Sequence, residues 1–192
     1  MTPIGEVIAA NTTAFSLVMS GRFGDELPVK FGSLVKTETN GLKIFGVVAL
    51  IEHAPTEPNR KIAPHGKPKD ALKREMPQVF ELLQTECRAL IVGYAHRGAL
   101  TQSFPPAPPD LHDFAYPTTD DEQEAFFSKP PAFLRMLLNS RDVAPDELIV
   151  ACLRNHLPRL SRPRLVEIGK ELAYLFGDDH RRLESILLRV HE

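Results

Sequence analysis

The pair Asn40-Gly41 constrains this chain more than any other two residues. It stands between two apolar runs, Ser33 to Thr39 and Leu42 to Ile51. A type I′ turn needs positive φ at both central residues, which Asn-Gly tolerates, so the pair predicts a β-hairpin. In the second run Leu42, Ile44, Val48 and Leu50 share one face, with Gly46 between them. Phe45, Val47, Ala49 and Ile51 share the other, opened by Lys43. A strand apolar on both faces must be covered on both: by a barrel interior and a second element, or by a barrel interior and an interface.

Three further runs follow the same logic. Ile4 to Ala9 and Ala14 to Met19 flank Asn11-Thr12-Thr13, read as a turn. Glu86 to Tyr94 sets Cys87, Ala89 and Ile91 against Leu90, Val92 and Tyr94. Short strands punctuated by turns, with no long helix between them, predict a small barrel or a sandwich. Between the fourth and fifth runs lies an insertion, residues 55–84. Pro55 to Lys69 reads as a loop, Asp70 as the cap of a helix Ala71–Met76, and Pro77 as the start of a further turn to Leu83.

The run Phe104-Pro105-Pro106-Ala107-Pro108-Pro109 reads as a stiff extended connector. The domain boundary is placed there: a barrel over residues 1–109, then a connector and helical domain over 110–192. Asp110 to Glu124 is acidic. Pro130–Asn139 carries Phe133, Leu134, Leu137 and Leu138 at helical spacing, and Pro145–Leu157 follows. Ser161 reads as the cap of a helix striped by Leu165, Ile168, Leu172 and Phe176 and ended by Gly177. Asp178 or Asp179 caps a last helix with Leu183, Ile186, Leu187 and Val190 inward, the final two helices forming an antiparallel hairpin. The expected class is α+β: a small N-terminal antiparallel β-barrel with a helical insertion, then a C-terminal α-helical bundle.

At 192 residues a chain can bury roughly 70% of its unfolded surface, so no metal or disulfide staple is needed. The net charge of -2 opposes a global attraction to nucleic acid or anionic lipid, leaving only local patches. Cys87 and Cys152 form no CxxC motif and read as buried thiols. The N-terminus lacks signal-peptide character, and no apolar stretch approaches a membrane span. A cytoplasmic location without membrane association is expected, and the glycosylation triplet Asn11-Thr12-Thr13 then carries no chemistry.

Ile4-Gly5-Glu6-Val7-Ile8, Phe23 through Pro28-Val29, Phe31-Gly32-Ser33-Leu34-Val35 and Ile44-Phe45-Gly46-Val47-Val48 resemble the HAS-barrel pattern. Such barrels open HerA-type DNA translocases and the α and β subunits of ATP synthase. The phrase from Met76-Pro77-Gln78-Val79-Phe80 to Ile91-Val92-Gly93-Tyr94 is more similar to stand-alone HAS-barrel proteins of the cyanobacterial type. The resemblance covers about the first 110 residues and implies a docking module. It does not extend to the motor. A P-loop needs G-x-x-x-x-G-K-[ST], but Val47 follows Gly46, and Pro68 follows Gly66-Lys67.

No catalytic constellation stands out. There is no G-x-S-x-G elbow. His112-Asp113 and Asp178-Asp179-His180 lack converging partners for a metal, and His96-Arg97-Gly98 reads as a turn. Two basic clusters remain as candidate contacts with a partner or with nucleic acid. Arg60, Lys61, Lys67, Lys69, Lys73 and Arg74 crowd the insertion against one acid, Asp70. Arg154, Arg159, Arg162 and Arg164 crowd the end of one helix and its following loop. Neither cluster has the aromatics that stack single-stranded bases, and an intramolecular contact with Asp110 to Glu124 is an alternative. The expected function is a non-enzymatic protein–protein interaction or assembly module, by self-association or with another protein. No cofactor and no metal are expected. The alternatives are a nucleic-acid-associated accessory protein related to HerA-type DNA processing and a small-ligand-binding regulator.

Overall fold

The computed structural model describes residues 2–20, 26–57, 59–140 and 143–191. Phe23 of the HAS-like pattern lies outside the described residues. Seven strands form one sheet: β1 (Gly5–Ala10), β2 (Ala14–Met19), β3 (Leu34–Thr39), β4 (Leu42–Pro55), β5 (Leu83–His96), β6 (Ala99–Thr101) and β7 (Phe114–Pro117). Every pairing is antiparallel, in the order β2-β1-β7-β3-β4-β5-β6, and β2 also pairs β5. The last pairing closes six strands into a barrel and leaves β6 as an appendage. Closure removes the open edges that would otherwise template aggregation.

Asn40 (φ 48°) and Gly41 (φ 77°) make the expected turn. The turn at Asn11 works through its side chain instead of its backbone angles. Asn11 Oδ1 accepts from Thr13 N (2.8 Å), Thr13 Oγ1 (2.7 Å) and Ala14 N (2.9 Å).

Both faces of β4 are covered. The interior holds Val7, Phe15, Leu17, Val35, Ile44, Val48, Ala89 and Ile91. Outside, Leu34, Phe45, Val47, Ala49, Leu90 and Val92 share a second core with the helices. The strict alternation expected along β4 and β5 breaks at two bulges. Val48 opposes Ala89 and Leu50 opposes Arg88, so Ala49 is the extra residue. Beyond it the faces exchange: Ile51 packs on the interior cluster, and Leu50, expected inward, is 43% exposed. On β5 the extra residue is Val92, which sends Tyr94 to the interior cluster instead of the outer face.

The boundary at residue 109 divides the barrel itself. β7, from the acidic segment beyond the prolines, fills the gap between β1 and β3. The connector bends at Pro106–Ala107 rather than running straight, and Pro105 and Pro109 are buried. With a shared core as well, the halves are not separable folding units.

Among the described residues there are seven α-helices: α1 (Lys69–Glu75), α2 (Gln78–Glu81), α3 (Asp120–Phe127), α4 (Phe133–Leu138), α5 (Pro145–His156), α6 (Arg162–Phe176) and α7 (His180–His191). The insertion helices are shifted from expectation. The N-cap of α1 is Pro68, with no side-chain cap bond, and Asp70 lies inside the helix. Leu83 belongs to β5. α4 excludes Pro130 and Pro131, and Ser161 occupies the cap position of α6 without a side-chain bond. Gly177 ends α6 at positive φ, and Asp179 Oδ1 caps α7 by accepting from Arg182 N (3.2 Å). Ile186 and Val190 of α7 are buried, whereas Leu187 is 36% exposed. Arg182 reaches back from α7 to Asp146 of α5 through bonds of 2.6–3.1 Å, which ties the two helices together.

Candidate functional site

β4 and β5 run out together until Pro55 opposes Leu83. Thr56 N then donates to Leu82 O (2.9 Å), which closes the base of an arm carrying α1 and α2. α1 buries no residue, and every position from 59 to 70 is exposed. The six cations of the first basic cluster all lie on this arm. Two acids just outside the cluster temper it. Glu75 pairs with Lys67, and Glu57 stands 3.9 Å from Arg60. Lys73 lies 5.9 Å above the Phe80 ring, and Lys61, Lys69 and Arg74 are exposed.

The second basic cluster is largely spent inside the molecule. Arg159 pairs with Asp120 (2.8 Å), which is the intramolecular contact with the acidic segment. Arg154 donates to the Arg189 carbonyl, and Arg164 pairs with Glu167. Arg162 is exposed. Most of the second cluster is thus paired within the molecule, while the first stands on the exposed arm. The arm keeps its cations outward; the second cluster mostly locks helices.

The polar groups that sequence reading passed over form a seam between α3 and the outside of the barrel. Thr119 and Glu122 make a reciprocal capping box at the start of α3. Glu122 Oε2 accepts from Thr119 N (2.9 Å), and Oε1 accepts from Lys36 and Lys43 (2.6 Å each). Burial opposes charge on Glu122, but these donors outweigh it and hold the carboxyl down to about 2. At the next residue, Gln123 Nε2 donates to Thr118, so its Oε1 faces His156 and Arg159. An amide oxygen only accepts, so His156 Nδ1 is the protonated nitrogen, at 3.1 Å. His156 Nε2 is left buried without a partner, beside the Phe127 ring at 4.8 Å. The T-x-x-E spacing at Thr119 signals the cap; nothing local signals its two lysines, which come from β3 and β4.

Burial, then the nearby Arg159 charge, pushes the His156 pKa down to about 4. An unfolded chain binds this proton near the ordinary 6.5, so the unfolded state holds more protons between those values. Stability is full above about 6.5 and falls as pH drops toward 4, by roughly 3 kcal/mol at most for this residue. His156→Leu is expected to flatten the pH 7 to 4.5 portion of the urea-unfolding profile. Gln123 retains Arg159 as donor in that variant. An unchanged slope would exclude His156 as its source.

The remaining candidates are structural. Cys87 and Cys152 are buried free thiols, each pushed up to about 12 by desolvation. His112 bonds Glu6 (2.6 Å) on the surface, and Arg97 and Gly98 form the β5–β6 turn with positive φ. Among the described residues, no three His, Cys, Asp or Glu side chains converge as a metal would need, and no helix is long and apolar enough to cross a membrane. Compared with known proteins, the chain matches no family model and no curated sequence.

Proposed function

We propose that this protein is a non-enzymatic interaction module and that the arm over residues 56–82 is its docking element. The observation that carries the reading is an arm that is folded yet adds nothing to either core. Ordered structure that buries little of itself has its use at a surface met by something else. The apolar outer face of β4 and β5 is not that surface, because the helices cover it. The HAS-barrel resemblance supports the same reading, since barrels of that kind serve assembly and docking, and a cytoplasmic location fits it.

Because Thr56 and Leu82 are hydrogen-bonded neighbours, residues 57–81 can be replaced by an Asn-Gly turn. The shortened protein is expected to melt within about 3 °C of the full chain, in line with a change below ~1 kcal/mol. It is expected to lose the partners that the full chain retains in affinity capture. Undiminished capture would remove the arm from the function. The exposed cations favour one other reading, a nucleic-acid-associated accessory role, which predicts salt-sensitive binding of duplex DNA or RNA by the arm.

A further inference from the structure

Two exposed surfaces of opposite charge stand on different sides of the barrel. At the Pro55 end of β4 stands the arm, where Arg60 and Lys61 immediately precede Ile62, itself 60% exposed. Across the barrel from β4 lies the β1–β7 face, outside the shared helical core. Ile8, Leu111 and Phe114 are 45%, 57% and 47% exposed there. Three contacts locate this patch. Phe114 opposes Glu6, Ala115 opposes Thr37, and Asn40 Nδ2 donates to Asp110 Oδ2 (2.9 Å) at the β3–β4 turn. Asp110 and Asp113 border its apolar centre on either side of Leu111 in sequence.

We infer that the arm of one molecule seats on the β1–β7 face of a second copy. Ile62 lies against Ile8, Leu111 and Phe114, and Arg60 and Lys61 face Asp110 and Asp113. This rests on the arm being a docking element and names its partner. The two surfaces match in kind: each is an apolar centre edged by charge, and the charges are opposite. They are kept apart within one molecule. β1 stands three strands from β4 whichever way the six-stranded barrel is followed. The arm's ion pairs, Arg60 with Glu57 and Lys67 with Glu75, are its own. In a two-fold contact residue i meets j while j meets i, so arm on face either closes reciprocally as a dimer or repeats head to tail.

The test uses two variants of the full chain, Ile62→Asp and Leu111→Asp, both at exposed positions outside the cores. The wild type is expected to show a mass by light scattering that rises with concentration in 25 mM salt. Association should weaken at least tenfold in 500 mM salt. Each variant alone is expected to remain monomeric. An equimolar mixture is expected to form a heterodimer of twice the monomer mass, because the Leu111→Asp molecule keeps its arm and the Ile62→Asp molecule keeps its face. An interface in which arm meets arm, or face meets face, gives no such rescue. A wild type that stays monomeric at several hundred micromolar in low salt overturns the inference, as does a mixture that stays monomeric. If a monomeric wild type binds duplex DNA through the arm, the second copy is the wrong partner. If arm deletion still abolishes capture of another protein, the docking reading survives without self-association.

Discussion

Glu122→Ala is expected to lower stability by about 3 kcal/mol, among the largest effects of any single side chain outside the two cores. The reason is the asymmetry of a buried ion network. Removing Glu122 leaves Lys36, whose side chain is only 11% exposed, without its counter-charge. It also releases Lys43 and opens the capping box on α3. Removing a lysine is milder, because the carboxylate keeps the other one, so Lys36→Met is expected to change stability by about 1 kcal/mol or less. The pH dependence supplies an independent check. The folded pKa of about 2 lies below the ordinary 4.5, so the carboxylate's contribution is complete above 4.5 and is lost as pH falls toward 2. A shift of that size corresponds to roughly 3 kcal/mol, consistent with the mutational figure. In urea unfolding, wild type and Glu122→Ala should be furthest apart at neutral pH and converge near pH 2. A gap that persists undiminished at pH 2 would mean that Glu122 stabilises through packing and not through its charge.

Gly32→Ala is expected to be at least as damaging, although it adds a single methyl. Gly32 has φ 82°, a conformation that a Cβ disfavours by about 1 kcal/mol. Its Cβ would stand 2.5 Å from the Ala151 carbonyl carbon and 2.6 Å from Cys152 N, both backbone atoms of α5. A helix backbone cannot swing aside as a side chain can, so the loop must lift. Lifting strains Gly32 N to Val48 O (2.8 Å) and Asn155 Nδ2 to Phe31 O (2.8 Å), the bonds that join barrel, loop and helix. Together these effects amount to about 3–4 kcal/mol, or a melting temperature lower by ~8–12 °C in a chain of this size. Gly41→Ala is the control: φ is 77°, but nothing lies within 4 Å of its Cβ. That variant is expected to lose only the conformational part, about 1 kcal/mol. Equal losses at the two positions would show that the close approach to α5 is immaterial.

Local chemistry accounts for what could be read early. Asn40-Gly41 and the two-sided β4 run place a hairpin inside a barrel because turn angles and face periodicity belong to neighbouring residues. Of the stripe Leu165, Ile168, Leu172 and Phe176, the last three are buried as the spacing implies and Leu165 is half-buried, and Gly177 stops α6 where a positive φ is needed. The two bulges were not legible. They depend on how β4 and β5 fit against each other, and they reverse the faces of Leu50, Ile51 and Tyr94. Nor was β7, four residues placed in the sheet by the gap between β1 and β3. In the second basic cluster the residue types were plain, but their partners come from remote elements: Asp120 for Arg159 and the Arg189 carbonyl for Arg154.

By itself the amino-acid order determined the elements: where strands turn, which helices have an apolar stripe, and that residues 60–74 are basic. Tertiary structure alone decided the pairings among them. It put helices, and not a partner, over the outer face of β4, gathered Lys36, Lys43 and Glu122, and set β4, which carries the arm, three strands round the barrel from β1. The division is physical. Propensity and periodicity act over a few residues, whereas closure of the sheet and neutralisation of buried charge depend on groups dozens of positions apart, related only once the chain has folded.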